Sequence, residues 1–226
     1  MSAAVAPPPP APPAIAAPSR RGGATVARIV ETTRARSTPG GRTVARLEPE
    51  TPWAAQAQTL LVLESRERAG HRWLRLLLPR RPVGRSGWVR DDRLALTTTR
   101  WWIDLRLASR RLRAYHAGRL VRSAAVVIGA TATPTPTGLA AIYERLPQPD
   151  PAGFYGPWVL SLTALSGTLE RFGGGPGRIG IHGRGGASLS DPLGSARSHG
   201  CIRVPNGDVR WLAARLPAGA PVRILP

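Results

Sequence analysis

The only cysteine of this 226-residue chain, Cys201, lies two residues after His199, and a second histidine, His182, follows an apolar run upstream. A thiol beside an imidazole supplies a nucleophile and a candidate general base for covalent catalysis. Gly200, directly before the cysteine, has no Cβ and would let a carbonyl substrate approach the thiol closely. These residues indicate a cysteine acyl-transfer site.

Either histidine could serve as the base. If His199 and Cys201 lie on one strand they point to the same face, and His182 could come from an adjacent strand. Three other interpretations compete: a buried cysteine that acts as a small hydrophobe, a zinc site of Cys201, His199 and His182, and a redox sensor. The His-x-Cys spacing is unusual for zinc and no resolving cysteine exists, so we favour catalysis and expect no metal.

The elements around these residues are mostly short strands. Turn residues 108–110 predict a hairpin. After the cysteine, an asparagine, an aspartate and apolar residues repeated every three to four positions predict one amphipathic helix. The helix is expected to start at an Asn206 N-cap, to carry Asp208 in its first turn, and to bury Val209, Leu212, Ala213 and Leu216. Strands are expected at 101–105, 111–115, 120–128, 140–142, 158–162, 178–181 and 222–225.

The front half also consists of short β-type runs separated by turn residues, which predicts a small β-barrel over 24–97. Runs of this type lie at 25–30, 59–63 and 73–78, and residues 97–100 make a plausible linker. Residues 73–76 and 84–89 (Gly-Arg-Ser-Gly-Trp-Val) resemble the end of a bacterial Src-homology-3-like domain. That resemblance implies a module that binds peptidoglycan or packs beside a catalytic domain, and a spacer without a ligand is an equal alternative.

The first 23 residues are rich in alanine and proline, with four consecutive prolines from Pro7 to Pro10. Proline favours extended polyproline II, so residues 1–23 are expected to form a stiff, disordered leader. The leader has no basic start and no uninterrupted apolar run, so no signal peptide is visible as written.

The net charge of +19 comes entirely from arginine and is spread over both halves. Because no basic stripe or arm is clustered, nucleic acid is not indicated. The charge indicates a generally basic, solvated surface; the alternative is that its field attracts polyanions such as cell-wall polymers. No window approaches the roughly 18–20 apolar residues that span a bilayer, so no transmembrane segment is expected.

The cysteine motif resembles a known family. The His182-Gly183 dipeptide, Gly194 and residues 198–203 (Ser-His-Gly-Cys-Ile-Arg) are similar to the signature of the L,D-transpeptidases, the YkuD domain family. Gly118 to Gly129 resembles the family's glycine-bounded strand, and residues 135–138 (Thr-Pro-Thr-Gly) match its T-P-x-G element. The resemblance covers about residues 100–226 and implies a β-rich catalytic domain.

By this resemblance Cys201 is the nucleophile, and it takes an acyl group from a peptidoglycan stem peptide with release of D-alanine. His182 is implied as the general base, oriented by the Gly183 carbonyl; Asp191, the closest carboxylate, has no motif support. His199 and Gly200 are implied, with the cysteine, to supply backbone N–H groups and to fix the loop.

Two further residues are substrate-binding candidates. Arg203 is a candidate for holding a substrate carboxylate, with a surface ion pair as the alternative, and Ser198 is more simply a turn-holding residue. Tyr155 and Trp158 could wall the cleft or pack in the core.

The expected activity is transfer of the stem acyl group to an amine acceptor, which crosslinks two third-position residues. The alternatives are a hydrolytic relative, an L,D-carboxypeptidase that uses the same thioester, and a non-catalytic wall-binding protein. We expect a monomer without a cofactor. An extracytoplasmic location, in the periplasm or cell wall, follows only from the implied substrate.

Overall fold

The computed structural model describes residues 13–172 and 174–226. It is mainly β, as predicted, with one α-helix in the described residues. The front strands are β1 (Ala24–Ile29), β2 (Thr33–Arg36), β3 (Thr43–Leu47), β4 (Thr59–Arg68), β5 (His71–Leu77), β6 (Ser86–Arg90) and β7 (Leu94–Thr99). The next are β8 (Trp101–Arg106), β9 (Arg111–His116), β10 (Arg119–Ala125), β11 (Ile128–Gly129), β12 (Gly138–Pro147), β13 (Trp158–Leu165) and β14 (Arg178–His182). The chain ends with β15 (Ala196–Ser198), β16 (Ile202–Arg203), helix α1 (Asn206–Arg215) and β17 (Pro221–Leu225).

The front strands form one seven-stranded sheet in the order β3-β2-β6-β5-β4-β1-β7. Alternate apolar side chains of β1 to β6 meet in one core, as the period-2 pattern of half-buried strands requires. Tyr143, which lies on β12 outside this sheet, is buried in the same core. The front sheet therefore shares buried surface with the rear half of the chain.

The rear strands form an eight-stranded sheet in the order β10-β9-β8-β17-β12-β13-β14-β16, and β11 pairs with β15 beside it. Helix α1 packs on β13 and β14. Its buried residues Val209, Leu212 and Ala213 close the core over these strands. Strand β14 is buried on both faces, which explains its continuous apolar run before His182.

The parallel pairing of β14 with β16 positions the predicted catalytic residues. Ile181 is in register with Ile202, and His182 is in register with Arg203. His182 ends β14, while Cys201 immediately precedes β16. Two sequence segments about twenty residues apart are thus placed side by side in the sheet.

The predicted N-cap of the helix was wrong. Asn206 is already inside α1, and the N-cap is Pro205, without a side-chain capping bond. The asparagine side chain is used elsewhere, because its amide pairs with the backbone of Arg184. Asp208 lies in the first turn, as predicted, and its carboxylate accepts a hydrogen bond from Arg122 at 2.5 Å.

The predicted linker was also wrong. Residues 97–99 belong to β7, which pairs with β1 from Thr97 opposite Val26 to Thr99 opposite Ala24. Threonine is β-branched and suits a strand as well as a loop, so composition alone could not decide. Strands β2, β3, β7, β15 and β16 were not predicted.

The leader prediction fails in its described part. Residues 1–12 lie outside the described residues, but residues 13–23 pack against both sheets. The Ile15 N–H donates to Ser65 at 2.8 Å, and Arg20 forms an ion pair with Asp104 at 3.4 Å. This segment is ordered by partners that lie far away in the sequence. Its composition alone could not indicate them.

Within the described residues, no helix combines the length and the apolar character that crossing a membrane requires.

Candidate active site

Cys201 and His182 face the same cleft, with a volume of about 240 Å³. The register of β14 against β16 places Cys201 level with Gly180, and residues 180 and 182 point to one face. Among the described residues no hydrogen bond joins the imidazole to the thiol; the Sγ atom lies 4.0 Å from the Arg178 carbonyl oxygen.

The segment that carries the thiol is a turn, so His199 and Cys201 do not share a strand, and the condition under which both side chains would point to one face is not met. Ser198 is buried, and its hydroxyl donates to the Cys201 carbonyl at 2.6 Å while accepting from the Gly200 N–H at 3.1 Å. Ser198 therefore holds the turn and is not exposed to a substrate.

Gly200 adopts a φ of 111°, in the region that favours glycine. A Cβ at this position would lie 2.9 Å from Ile179 Cδ1. Its carbonyl accepts a hydrogen bond from buried Thr135 at 2.8 Å, and Thr135 in turn accepts from the Gly129 N–H at 2.9 Å. The T-P-x-G segment, residues 135–138, thus holds the turn that carries Cys201. The sequence did not indicate this role.

His182 is 1% exposed, and its Nδ1 lies 2.7 Å from the Gly183 carbonyl oxygen, the contact that the resemblance implies. A carbonyl only accepts hydrogen bonds, so Nδ1 carries the proton and Nε2 keeps its lone pair. Asn206 holds the peptide group that carries this carbonyl, because its side-chain amide accepts from the Arg184 N–H at 2.7 Å. The same amide donates to the Arg184 carbonyl at 2.8 Å.

Burial lowers the pKa of His182 to about 4. Desolvation disfavours the imidazolium most strongly, and the nearby Arg203 charge acts in the same direction, whereas the Gly183 carbonyl opposes both. The imidazole is therefore neutral at neutral pH and able to accept a proton.

Burial also raises the pKa of the Cys201 thiol, although part of the residue reaches solvent. A hydrogen bond with the Gly180 backbone and the Arg203 charge oppose this shift without cancelling it. The resting pair is thus a neutral thiol and a neutral imidazole, and not a thiolate–imidazolium pair.

Arg203 is buried and forms an ion pair with Asp191. Its guanidinium also stacks over Phe154, 4.9 Å from the ring centre. The guanidinium of Arg203 therefore already has a carboxylate partner in the protein. To bind a substrate carboxylate, it would have to release Asp191. The charge of the buried guanidinium lowers the pKa of His182 and opposes the rise in the pKa of Cys201.

His199 lies in the turn and is exposed. Its ring packs against Phe172, with the ring centres 5.4 Å apart. The side chain does not line the cleft that contains His182.

Tyr155 lines the cleft and packs edge-on against His182, with the ring centres 5.1 Å apart. Burial raises the pKa of Tyr155, and the nearby Cys201 adds to the shift. Trp158 packs against the rear core instead. From the sequence, each of these residues could line the cleft or pack in the core. In the structure Tyr155 lines the cleft and Trp158 packs against the core.

Several cleft residues were not singled out from the sequence, and two of them, Glu144 and Trp53, make contacts that connect distant parts of the chain. Glu144 is buried, and its carboxylate accepts from Ser161 at 3.2 Å and from the Ala54 N–H at 3.3 Å. Trp53 comes from the front half of the chain and lines the same cleft. No local pattern marks either residue, because each reaches the site through the fold.

The described residues contain no cluster of three histidine, cysteine or carboxylate side chains that could hold a metal ion. The zinc arrangement of Cys201, His199 and His182 is therefore not assembled.

The rear half of the chain matches a family model described as the L,D-transpeptidase catalytic domain, YkuD, over residues 100–224. Residues 24–97 lie outside this match, so their Src-homology-3-like character stays a prediction.

The chain is similar to two Bacillus proteins that carry the name L,D-transpeptidase YkuD. It is 37% identical to that of Bacillus licheniformis over 124 residues, which are 55% of this chain and 65% of the relative. It is 34% identical to that of Bacillus subtilis over 106 residues, which are 47% of this chain and 54% of the relative. The chain thus spans less than two thirds of either relative.

Among solved structures, the chain is similar to an L,D-transpeptidase of Enterococcus faecium, at 20% identity and a TM-score of 0.42. The matched region covers 57% of this chain and 53% of that one.

Proposed function

This chain belongs to the YkuD family of L,D-transpeptidase catalytic domains, and on that premise we propose that it is a cysteine-dependent L,D-transpeptidase acting on peptidoglycan stem peptides. One observation carries the proposal: a neutral, buried His182, oriented by the Gly183 carbonyl, shares a cleft with the only thiol of the chain. A nucleophile, a base and an orienting group are the minimum set for acyl transfer.

In the acylation step, Nε2 of His182 accepts the thiol proton as Sγ of Cys201 attacks the carbonyl carbon of the third stem residue. The C–S bond forms, and the tetrahedral oxyanion collapses with cleavage of the C–N bond to D-alanine. The imidazolium returns its proton to the departing amine. The products are a thioester on Cys201 and free D-alanine.

In the transfer step, the amine of an acceptor stem attacks the thioester carbonyl and gives its proton to His182. The C–S bond breaks, the thiolate takes the proton back, and an amide crosslink is released. The acceptor is the group that separates a transpeptidase from a carboxypeptidase, because water would resolve the same thioester to an acid.

The turn offers two candidate donors to the oxyanion, the backbone N–H groups of His199 and Cys201. The Gly200 N–H is engaged by Ser198, whereas in the described part of the chain neither the His199 N–H nor the adjacent Cys201 N–H of the nucleophile itself meets an acceptor. A backbone N–H that needs no reorganisation can stabilise the developing charge strongly. We therefore assign the oxyanion to the Cys201 N–H rather than to Gly200.

The proposed substrate lies outside the cytoplasmic membrane, so the protein would act in the periplasm or cell wall. Its positive charge, +19 overall, favours approach to an anionic wall.

Intact-mass measurement tests the proposal. Wild-type protein is incubated with a synthetic stem tetrapeptide, with and without an acceptor amine, and Cys201→Ala serves as the control. We expect an adduct of the stem minus D-alanine on the wild type alone, and a crosslinked product only with the amine. An acid product in both conditions would indicate a carboxypeptidase; retention on purified sacculi without any adduct would indicate a wall-binding protein.

A further inference from the structure

The front sheet contributes directly to the cleft that contains Cys201. Trp53, in the loop between β3 and β4, lines this cleft, and 56% of the residue is exposed. It lies against the cleft rim, which we define as residues 166–172 and 174–177. A Cβ added to Gly175 of the rim would lie 2.8 Å from Cζ2 of the Trp53 ring. An indole is thus in contact with the rim on one side and open to the cleft on the other.

The loop that carries Trp53 is anchored on the rear sheet. The side-chain amide of Gln56 donates to the Arg145 carbonyl at 2.7 Å and accepts from the Arg145 N–H at 3.1 Å. One residue after Trp53, the Ala54 N–H donates to the buried carboxylate of Glu144 at 3.3 Å. These bonds connect positions about ninety residues apart and hold the indole at the cleft.

A second residue of the front half holds the rim itself. The Arg81 guanidinium donates to rim carbonyls through Nε, to Ser166 at 2.8 Å, and through Nη2, to Leu169 and Pro176 at 2.7 Å each. A planar guanidinium with five donors suits this convergence, and an ammonium group could not reproduce its geometry. The three carbonyls lie on both sides of the rim, so one side chain ties its two arms together.

We infer that the front half is a functional part of the substrate cleft, with Trp53 as a specificity-determining residue and Arg81 as a positioning residue for the rim. This inference rests on the proposed function for the identity of the ligand, the acyl-donor stem peptide. The indole offers the aliphatic part of the stem an apolar face, while Arg81 keeps that wall at a fixed distance from Cys201.

The test compares full-length variants Trp53→Ala, Trp53→Phe and Arg81→Ala with the wild type. Arg80→Ala is the control for Arg81, because the adjacent Arg80 donates to Val44 within the front half. Leu120→Ala is the control for Trp53, because Leu120 is 54% exposed and does not line the cleft.

With the stem tetrapeptide, we expect Trp53→Ala to raise KM about tenfold with little change in kcat, as the loss of roughly 1.4 kcal/mol of apolar contact implies. Trp53→Phe should recover most of this loss, and both controls should match the wild type. Arg81→Ala should raise KM in the same direction. A global loss of stability would instead lower the active fraction without a selective effect on KM.

A second readout does not depend on the proposed reaction. The rate of Cys201 alkylation by a bulky pyrenyl maleimide is divided by the rate with iodoacetamide. Removing a wall of the cleft should raise this ratio several-fold in Trp53→Ala and Arg81→Ala, but not in the controls. If the wild type turns over but the variants change neither the alkylation ratio nor KM, the inference is overturned. If the wild type does not turn over, the proposed function is rejected. In that case the alkylation ratio alone still decides the inference.

Discussion

Two His-Gly dipeptides occur in the rear half of this chain, and the fold treats them in opposite ways. His182 ends a buried strand, with its Nδ1 bound to the following glycine carbonyl. His199 lies in an exposed turn beside the only thiol of the chain, with its ring against Phe172. The histidine nearer to the cysteine in sequence is therefore the one that does not face its cleft.

Under the proposed function, the contrast means that proximity in sequence does not make a base. A base needs a lone pair directed at the nucleophile and a fixed ring, and these come from neighbours in space. For His182 the ring is fixed by the Gly183 carbonyl, and its surroundings exclude water strongly enough to keep it neutral. His199 lies in the turn with an exposed ring that packs against Phe172.

The largest expected effect separates the two histidines. His182→Gln should slow the acylation of Cys201 by about 10²- to 10⁴-fold, the usual contribution of a general base, whereas His199→Gln should cause a far smaller loss. Single-turnover acylation followed by intact mass measures both rates. Equal losses in the two variants would contradict the assignment of roles.

The second effect is the dependence of the free energy of unfolding on pH. Because the pKa of His182 is about 4 in the folded protein and near 6.5 when unfolded, the unfolded chain binds the proton more tightly, and stability falls as pH drops from 6.5 towards 4. The loss over this window is about 3 kcal/mol. Urea denaturation at several pH values should show it in the wild type and in His199→Gln.

The same denaturation series on His182→Gln gives the matched comparison. Glutamine does not titrate, so this part of the acid dependence should disappear. Persistence of the full dependence in His182→Gln would assign it to other groups.

A third effect concerns the turn around His199. Ser198→Ala removes a hydroxyl that serves both the Cys201 carbonyl and the Gly200 N–H. Because it leaves buried backbone groups unpaired, we expect a loss of about 1–3 kcal/mol in unfolding free energy. Chemical denaturation measures this loss, and Ser190→Ala, at an exposed serine, is the control. An unchanged stability would show that water replaces the hydroxyl.

The smallest effect compares the aromatic neighbours of the two histidines. Phe154 lies 6.2 Å from His182 and under the Arg203 guanidinium, while Phe172 packs on His199. Phe154→Ala should admit water near His182 and raise its pKa towards the ordinary value, so the acid limb of the acylation profile moves to higher pH. Phe172→Ala should leave that limb in place, and pH–rate profiles of both variants decide.

The strands around the site were predictable to a large extent, because buried and exposed side chains alternate along a half-covered sheet. The runs at 101–105, 111–115 and 178–181 correspond to β8, β9 and β14. The threonine run at 97–99 was mistaken for a linker because its residues suit both states. The helix was found from its apolar spacing, while its first residue was misassigned because Asn206 has a tertiary partner.

The sequence by itself determined the candidate nucleophile, the two candidate bases and the mainly β architecture, because each follows from residue types at short spacing. Only the tertiary structure decided which histidine shares the cleft of the thiol, and that Asp191 pairs with Arg203. It also decided that, from the front half, Trp53 reaches the cleft and Arg81 reaches its rim. The physical reason is the same in each case. A polar or aromatic side chain acquires its role from its partner, and these partners lie between about 10 and 120 positions away, where no local pattern can report them.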